Sequence, residues 1–355
     1  MLHLALFATA AANDICVGSV SVKGSGSMQV IRNTGAASSA YQKAAPVKVE
    51  NGEIKLTLEP HTDKSKASRN GARAYLGTSC TEGAYNHSAY GAWPLLGKTM
   101  SFTVDLSAAG CGCNAAMYLV SMNQNTQPGT CDSDYYCDAN NVCGVRCAEI
   151  DVMEANKHAL HTTAHTPNDG GGAGSGLGGG MKSFSKSDYG PGGAKVDTTR
   201  PFTVSTYFGV SNGALSSIEV TLQGESGGTV HFTAGSSSYL GGLSSAALAG
   251  MTPVVSYWSA SDMRWLDSAY YPDPYDGGST DPCPWDAAGV SGYPSSDNQD
   301  TCGESISFSN FAITDGRALP ADGVAVPKPP RSFSKRASLE QAWMARATSV
   351  EDAEY

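Results

Sequence analysis

The sequence predicts an all-β protein, an antiparallel sandwich or barrel, on three observations. Short segments in which apolar and polar residues alternate recur along the chain, with the period of a half-buried strand. The connections between them are rich in Gly, Ser and Pro, with 41 glycines and 17 prolines in 355 residues, so the chain reverses often. Long amphipathic helical stretches are scarce, which argues against βαβ units and a parallel sheet.

The segments follow in order. GEIKLTLEP (52–60) alternates Ile54, Leu56 and Leu58, and MSFTVDL (100–106) alternates Phe102, Val104 and Leu106. AAMYLVSM (115–122), FTVSTYF (202–208), SIEVTLQ (217–223), TVHFTA (229–234), PVVSYWS (253–259) and SISFSNFAI (305–313) continue the pattern. Helix content is expected to be small, with SSAALAG (244–250) a candidate short turn. GGGAGSGLGGG (170–180) reads as a flexible loop; it lacks the strand-to-helix context and the GK[ST] of a phosphate cradle. MLHLALFATAAAN resembles a short signal peptide over 1–12, without a basic start. A folded domain is expected over 13–316, and a proline-rich, mostly disordered tail over 317–355.

A formal net charge of -10 disfavours nucleic acid and anionic membranes as partners, since Lys/Arg patches supply most of that affinity. No run approaches the roughly 18 apolar residues of a membrane span. The 10 cysteines, an even number, suggest disulfides and an oxidising compartment. Zinc is the alternative, but Cys131, Cys137, Cys143 and Cys147 lack the paired CxxC spacing of common sites. The triplet Asn86-His87-Ser88 is a glycosylation sequon and lends mild support to secretion.

In this weakly charged chain, CAEIDVMEAN (147–156) concentrates Glu149, Asp151 and Glu154 on an apolar strand. Alternate side chains share a strand face, so Glu149 and Asp151 point together and Glu154 has the wrong parity. A β-bulge at Val152–Met153 would bring all three to one face. Two Glu carboxyls converging in this way meet the requirement of a retaining glycosidase, one as nucleophile and one as acid/base. A neighbouring Asp would separate their pKa values. The bland alternative is a half-exposed strand with an acidic outer face.

With its flanks, CAEIDVMEAN resembles the catalytic signature of glycoside hydrolase family seven, the fungal-type cellulases, Glu-x-Asp-x-Trp-Glu-Ala-Asn, with Met153 in place of Trp. NGARAYL (70–76), TVDLSAAGCGCNAAMYLVSM (103–122), CDS (131–133), YGPGGAKVDTT (189–199), GMTPVVSYWSASDMRWLDS (250–268) and FSNFAITDG (308–316) match in the family's order. The resemblance implies a two-sheet antiparallel β-jelly roll with a concave cleft for cellulose or another β-glucan, a secreted monomer, and no cofactor or metal. It assigns Glu149 as nucleophile, Glu154 as acid/base, Asp151 as the partner orienting the nucleophile, and His165 as a cleft residue near the leaving group. Asn114, Tyr118, Asp132 and Ser133 would surround the nucleophile and its sugar, Arg73 would be a cleft arginine, and Trp258 and Trp265 would be sugar platforms. His158 and His161 are expected at the surface. Asp273, Asp276 and Asp281 in DPYDGGSTD resemble a loose calcium loop without its closing Glu and read as a turn.

The resemblance also implies Cys131–Cys147 and Cys111–Cys283 disulfides, leaving Cys143 as the nearest partner for Cys137. Two family features have no clear counterpart: the early strands, which are either missing from residues 1–47 or diverged beyond recognition, and the arginine-bearing segment, which GGGAGSGLGGG replaces. An open, endoglucanase-like cleft is therefore favoured over a processive cellobiohydrolase. Other readings are a β-1,3- or mixed-linkage glucanase, since the family sixteen jelly rolls also use Glu-x-Asp-x-x-Glu, a non-catalytic cell-wall binding jelly roll, and a metal-dependent hydrolase built on the histidines.

Overall fold

Alternation in the sequence becomes one-sided burial in the strands. A computed structural model describes residues 15–34, 46–58, 71–131, 133–259, 263–267, 283 and 302–317. The expected signal segment 1–12, Asp132, the DPYDGGSTD turn and the tail beyond Arg317 lie outside the described residues. In chain order the strands are β1 (Cys16–Val22), β2 (Gly26–Arg32), β3 (Val47–Glu50), β4 (Glu53–Thr57), β5 (Ala72–Gly77) and β6 (Lys98–Asp105). Next come β7 (Cys113–Val120), β8 (Glu149–Ala155), β9 (Leu160–His165), β10 (Ala173–Gly178), β11 (Met181–Lys182), β12 (Tyr189–Gly190) and β13 (Val196–Asp197). The last are β14 (Phe202–Ser211), β15 (Ala214–Gly224), β16 (Thr229–Ala234), β17 (Thr252–Ser259) and β18 (Ser305–Asp315).

They form a 9-stranded sheet in the order β1-β2-β5-β17-β7-β8-β9-β10-β11 and a 7-stranded sheet in the order β16-β15-β14-β6-β18-β4-β3; β12 and β13 make a small parallel pair. This is the predicted antiparallel sandwich. One continuous core joins the sheets, taking Val30, Ala74, Met117 and Ile150 from the first and Ile54, Phe102, Ile218 and Phe308 from the second. Phe102 packs against Phe308 and Phe311, with ring centroids 5.8 and 6.5 Å away. A register shift between Ser309 and Ala312 lets both Phe308 and Phe311 point inward. Among the described residues the α-helices are short, α1 (Ser237–Leu240), α2 (Ser244–Ala249) and α3 (Arg264–Asp267), so most of SSAALAG is a helix and not merely a turn.

One sequence expectation is corrected. GGGAGSGLGGG contains β10 and leads into β11, extending the large sheet beyond β9. Alternation is invisible there because most side chains are absent. In the N-terminal segment, where a diverged strand pair was one alternative, β1 and β2 form the opposite edge, tied by a Cys16–Cys80 disulfide.

The disulfides around the acidic strand differ from expectation. Cys111 joins Cys283 and Cys113 joins Cys302, but Cys131 pairs with Cys143 and Cys137 with Cys147. The backbone sets these partners. Thr130 N–H donates to Cys143 O at 2.8 Å and Cys147 N–H to Asp138 O at 3.1 Å, which brings each cysteine beside the partner it takes. Among the described residues all four clustered cysteines are thus bridged. Replacing Cys137 and Cys147 together with Ser should lower unfolding stability by about 3 kcal/mol, the loop-closure contribution of a ring this short. Chemical denaturation beside the parent protein, with the other bridges intact, checks this value.

Candidate active site

The acidic strand β8 carries a bulge where parity demanded one. Its pairing with β7 runs Met117↔Met153 and then Tyr118↔Asp151, leaving Val152 extra, and its pairing with β9 shifts between Asp151 and Glu154. Val152 and Met153, adjacent in sequence, are both in the core with Ile150 and Ala155. Glu149, Asp151 and Glu154 therefore all emerge on the opposite face and line one cleft of about 610 Å³.

Cross-strand pairing arranges the cleft floor in rows. At the level of Glu154 the row runs Arg73–Ser256–Ala116–Glu154–His161–Gly176 across β5, β17, β7, β8, β9 and β10. Asp151 lies between Tyr118 and Thr163, and Glu149 faces His165. Asn114, one turn of the pleat from Ala116, donates through Nδ2 to Glu154 Oε1 at 2.9 Å, and its own Oδ1 accepts from Ala155 N–H at 3.1 Å. Glu149 Oε2 accepts the Ala139 N–H at 3.1 Å, from the disulfide-bridged loop.

His165 connects Asp151 to the loop after β9. Its Nδ1 lies 3.1 Å from Asp169 O, a carbonyl that can only accept, so Nδ1 carries a proton. Its Nε2 lies 3.0 Å from Asp151 Oδ2. The contact closes if one proton sits between them, on either atom. Asp169 is anchored in turn, its Oδ2 accepting from Tyr239 Oη at 2.8 Å and its Oδ1 from the Gly171 and Gly172 N–H groups at 3.0 and 3.1 Å.

Burial governs the charge. Desolvation, then the Asp151 charge, pushes Glu154 up to about 8, against the Asn114 hydrogen bond. Desolvation and Asp138 push Asp151 up to about 8. Glu149 is raised by desolvation and by Asp151 and Asp138, with His165 and the Ala139 N–H opposing. Fewer than three negative charges therefore reside on this cluster near neutrality. Of the three acids, Glu149 has a backbone N–H donor and Asp151 the histidine contact.

Comparisons with known proteins bear on the fold and the family resemblance. The family model described as Glycosyl hydrolase family 7 matches residues 31–141. The resemblance to glycosyl hydrolase family 7 holds. An endoglucanase EG-1 of Hypocrea jecorina is 34% identical over 217 residues, 49% of this chain and 46% of that protein. An exoglucanase GH7B of Limnoria quadripunctata is 27% identical over 350 residues, 73% of this chain and 75% of that protein. The chain spans about half the length of the first curated relatives it matches. A GH7-family cellobiohydrolase from Daphnia pulex superposes with a TM-score of 0.63 over 86% of this chain and 98% of that one, at 19% identity. At that identity the likeness carries the fold, a β-jelly roll, and no more.

The residues that family 7 resemblance singles out are mostly gathered. Glu149, Asp151, Glu154, His165, Tyr118, Arg73, Trp258 and Trp265 all line the cleft, and Asn114 reaches it through Glu154. Arg73 lies over the Tyr136 ring, 3.5 Å from its centroid, and Tyr136 Oη is 3.1 Å from Tyr118 Oη. Trp258 and Trp265 stack on each other at 6.2 Å. Ser133 is not brought in; it sits exposed at a positive φ of 58° while Asp134 and Tyr136 turn inward from the same loop.

Sequence reasoning missed Tyr136, Asp138 and His161 as cleft residues. His161 was expected at the surface and is instead buried, 3% exposed, because β9 alternates and His161 shares the face of Thr163 and His165. That parity was the available signal. His158, outside the strand, is half-buried.

The raised carboxyls set a sign for stability. Folded, they hold protons that the unfolded chain releases above about pH 4, so stability drops as pH rises from there through about 8. His161, pushed down to about 4 chiefly by burial, acts oppositely, but only below the ordinary imidazole range of about 6.5. Melting temperature should therefore decline between about pH 6.5 and 8.5. Glu154→Gln should flatten that decline, as read by calorimetry across the series.

Proposed function

We propose that the chain hydrolyses β-1,4-glucosidic bonds of cellulose or a related β-glucan by double displacement. The reading is carried by one observation: a bulge inside an apolar strand aligns three acids on the floor of a cleft. A structural strand gains nothing from three crowded carboxyls, whereas a retaining glycosidase needs a nucleophile and an acid/base side by side.

In the first step Glu149 Oε attacks the anomeric carbon as Glu154 gives its proton to the departing oxygen, breaking the glycosidic bond and forming a glycosyl ester. In the second, Glu154, now ionised, takes a proton from water, whose oxygen attacks the same carbon and releases Glu149. A Glu154 carboxyl that stays protonated up to about 8 suits the acid role. Burial raises Glu149 as well, and the Ala139 N–H opposes that rise, favouring the anion that attack requires. Asp151, in contact with His165 Nε2, holds the middle of the acidic row. Trp258 and Trp265 offer indole faces to the apolar C–H face of a pyranose.

Internal attack fits this chain better than processive action. The segment corresponding to the family's arginine-bearing loop is the strand pair β10–β11, which widens the sheet. Five disulfides suit action outside the cell by a secreted protein.

Sugar release from amorphous cellulose tests the reading. Glu149→Gln and Glu154→Gln should each lower it about a thousandfold. Proton NMR of early products should show the β anomer; an initial α anomer would exclude double displacement. Binding to cellulose without release at any pH from about 4 to 8 would instead mark a non-catalytic jelly roll.

A further inference from the structure

His161 is a cleft residue that the chemistry above leaves unused. It stands beside Glu154 in the cross-strand pairing, at the end of the acidic row away from the Glu149–His165 pair. Its ring meets the Trp265 indole edge-to-face, with centroids 6.1 Å apart. Its Nε2 is buried and makes no hydrogen bond, while the ring bonds the backbone of Gly178.

Those facts assign the ring atoms. A bond that favours the protonated imidazole is one in which the ring donates, so Nδ1–H donates to the Gly178 carbonyl. Burial keeps the ring neutral, and Nε2 is then a bare lone pair on the cleft wall. An unpaired buried acceptor is costly unless a ligand supplies the donor. The surroundings hold it in place. Gly178 and Gly179 have positive φ values of 103° and 56°, and a Cβ on Gly179 would lie 2.5 Å from His161 Cε1 and 1.9 Å from Trp265 O. Only glycine lets the β10–β11 turn press against both residues. Asp267, on the same short helix as Trp265, accepts from Gly112 N–H and from Asn156 Nδ2, each at 2.6 Å, which fixes α3 at the cleft edge.

We propose that His161 is a specificity-determining residue for the leaving side of the cleft: its Nε2 accepts a hydrogen bond from a hydroxyl of the glucosyl unit that departs past Glu154 and rests against Trp265. The proposal rests on the glycosidase reading, in which Glu154 protonates the departing oxygen. It assigns a neutral acceptor to a chain in which GGGAGSGLGGG replaces the family's arginine-bearing segment.

Two substrates separate the contributions. Cellotetraose places a sugar on the leaving side, whereas 4-nitrophenyl β-cellobioside places a phenol there, with no sugar hydroxyl to donate. His161→Asn keeps a donor for Gly178 and lacks the Nε2 acceptor; His161→Gln restores an acceptor near that position. The ratio of kcat/KM on cellotetraose to kcat/KM on the aryl cellobioside should fall about tenfold in His161→Asn and recover in His161→Gln. An unchanged ratio in His161→Asn overturns the proposal, whether both rates hold or both fall together. Melting curves of the two variants confirm that folded protein is compared. If the parent cleaves neither substrate, the glycosidase reading itself fails, an outcome distinct from an unchanged ratio.

Discussion

Val152 and Met153 point the same way, into the core, and that local breach of strand alternation is the constraint on which the cleft depends. Without it Glu154 would turn inward and two apolar positions would be traded for an unpaired buried carboxyl. The core thus enforces the chemistry. Two side chains buried between the sheets hold the bulge in place, and the bulge holds three acids in one row. Met153, where the family signature has Trp, is an unbranched side chain suited to filling an irregular gap.

The acids are positioned from both ends by chain remote in structure type. On one side, the loop bearing Cys131–Cys143 and Cys137–Cys147 brings the Ala139 N–H to Glu149 and places Tyr136 and Asp138 in the wall. On the other, Asp169 links Tyr239 of α1 to His165 and so to Asp151. A loop without regular structure can present one N–H reliably only if its ends are tied, and the two short bridges tie it close to the strand.

The glycine-rich run has the same logic in reverse. Where side chains would report a strand, their absence allows close approach: β10 lies tightly on β9, and the following turn packs onto the backbone of α3. Trp265 and His161 gain their fixed relation from that contact. The buried carboxyl of Asp267, raised to about 7 by desolvation, adds two donors' worth of anchorage to the same helix.

What the sequence alone determined was what neighbours within one strand decide. Alternation specified the sandwich strands at 52–60, 100–106 and 202–234, and the spacing of Glu149, Asp151 and Glu154 required a bulge between the last two. The parity of β9 already contained the cleft position of His161, although the histidine run had read as surface. Only the tertiary structure decided the partners of Cys131, Cys137, Cys143 and Cys147, the strand nature of 173–178, the entry of Tyr136 and Asp138, and the exposure of Ser133. Each of these depends on which distant backbone lies alongside. Hydrophobic period is written into consecutive residues, whereas the register between remote segments is settled only when the two sheets close over their common core.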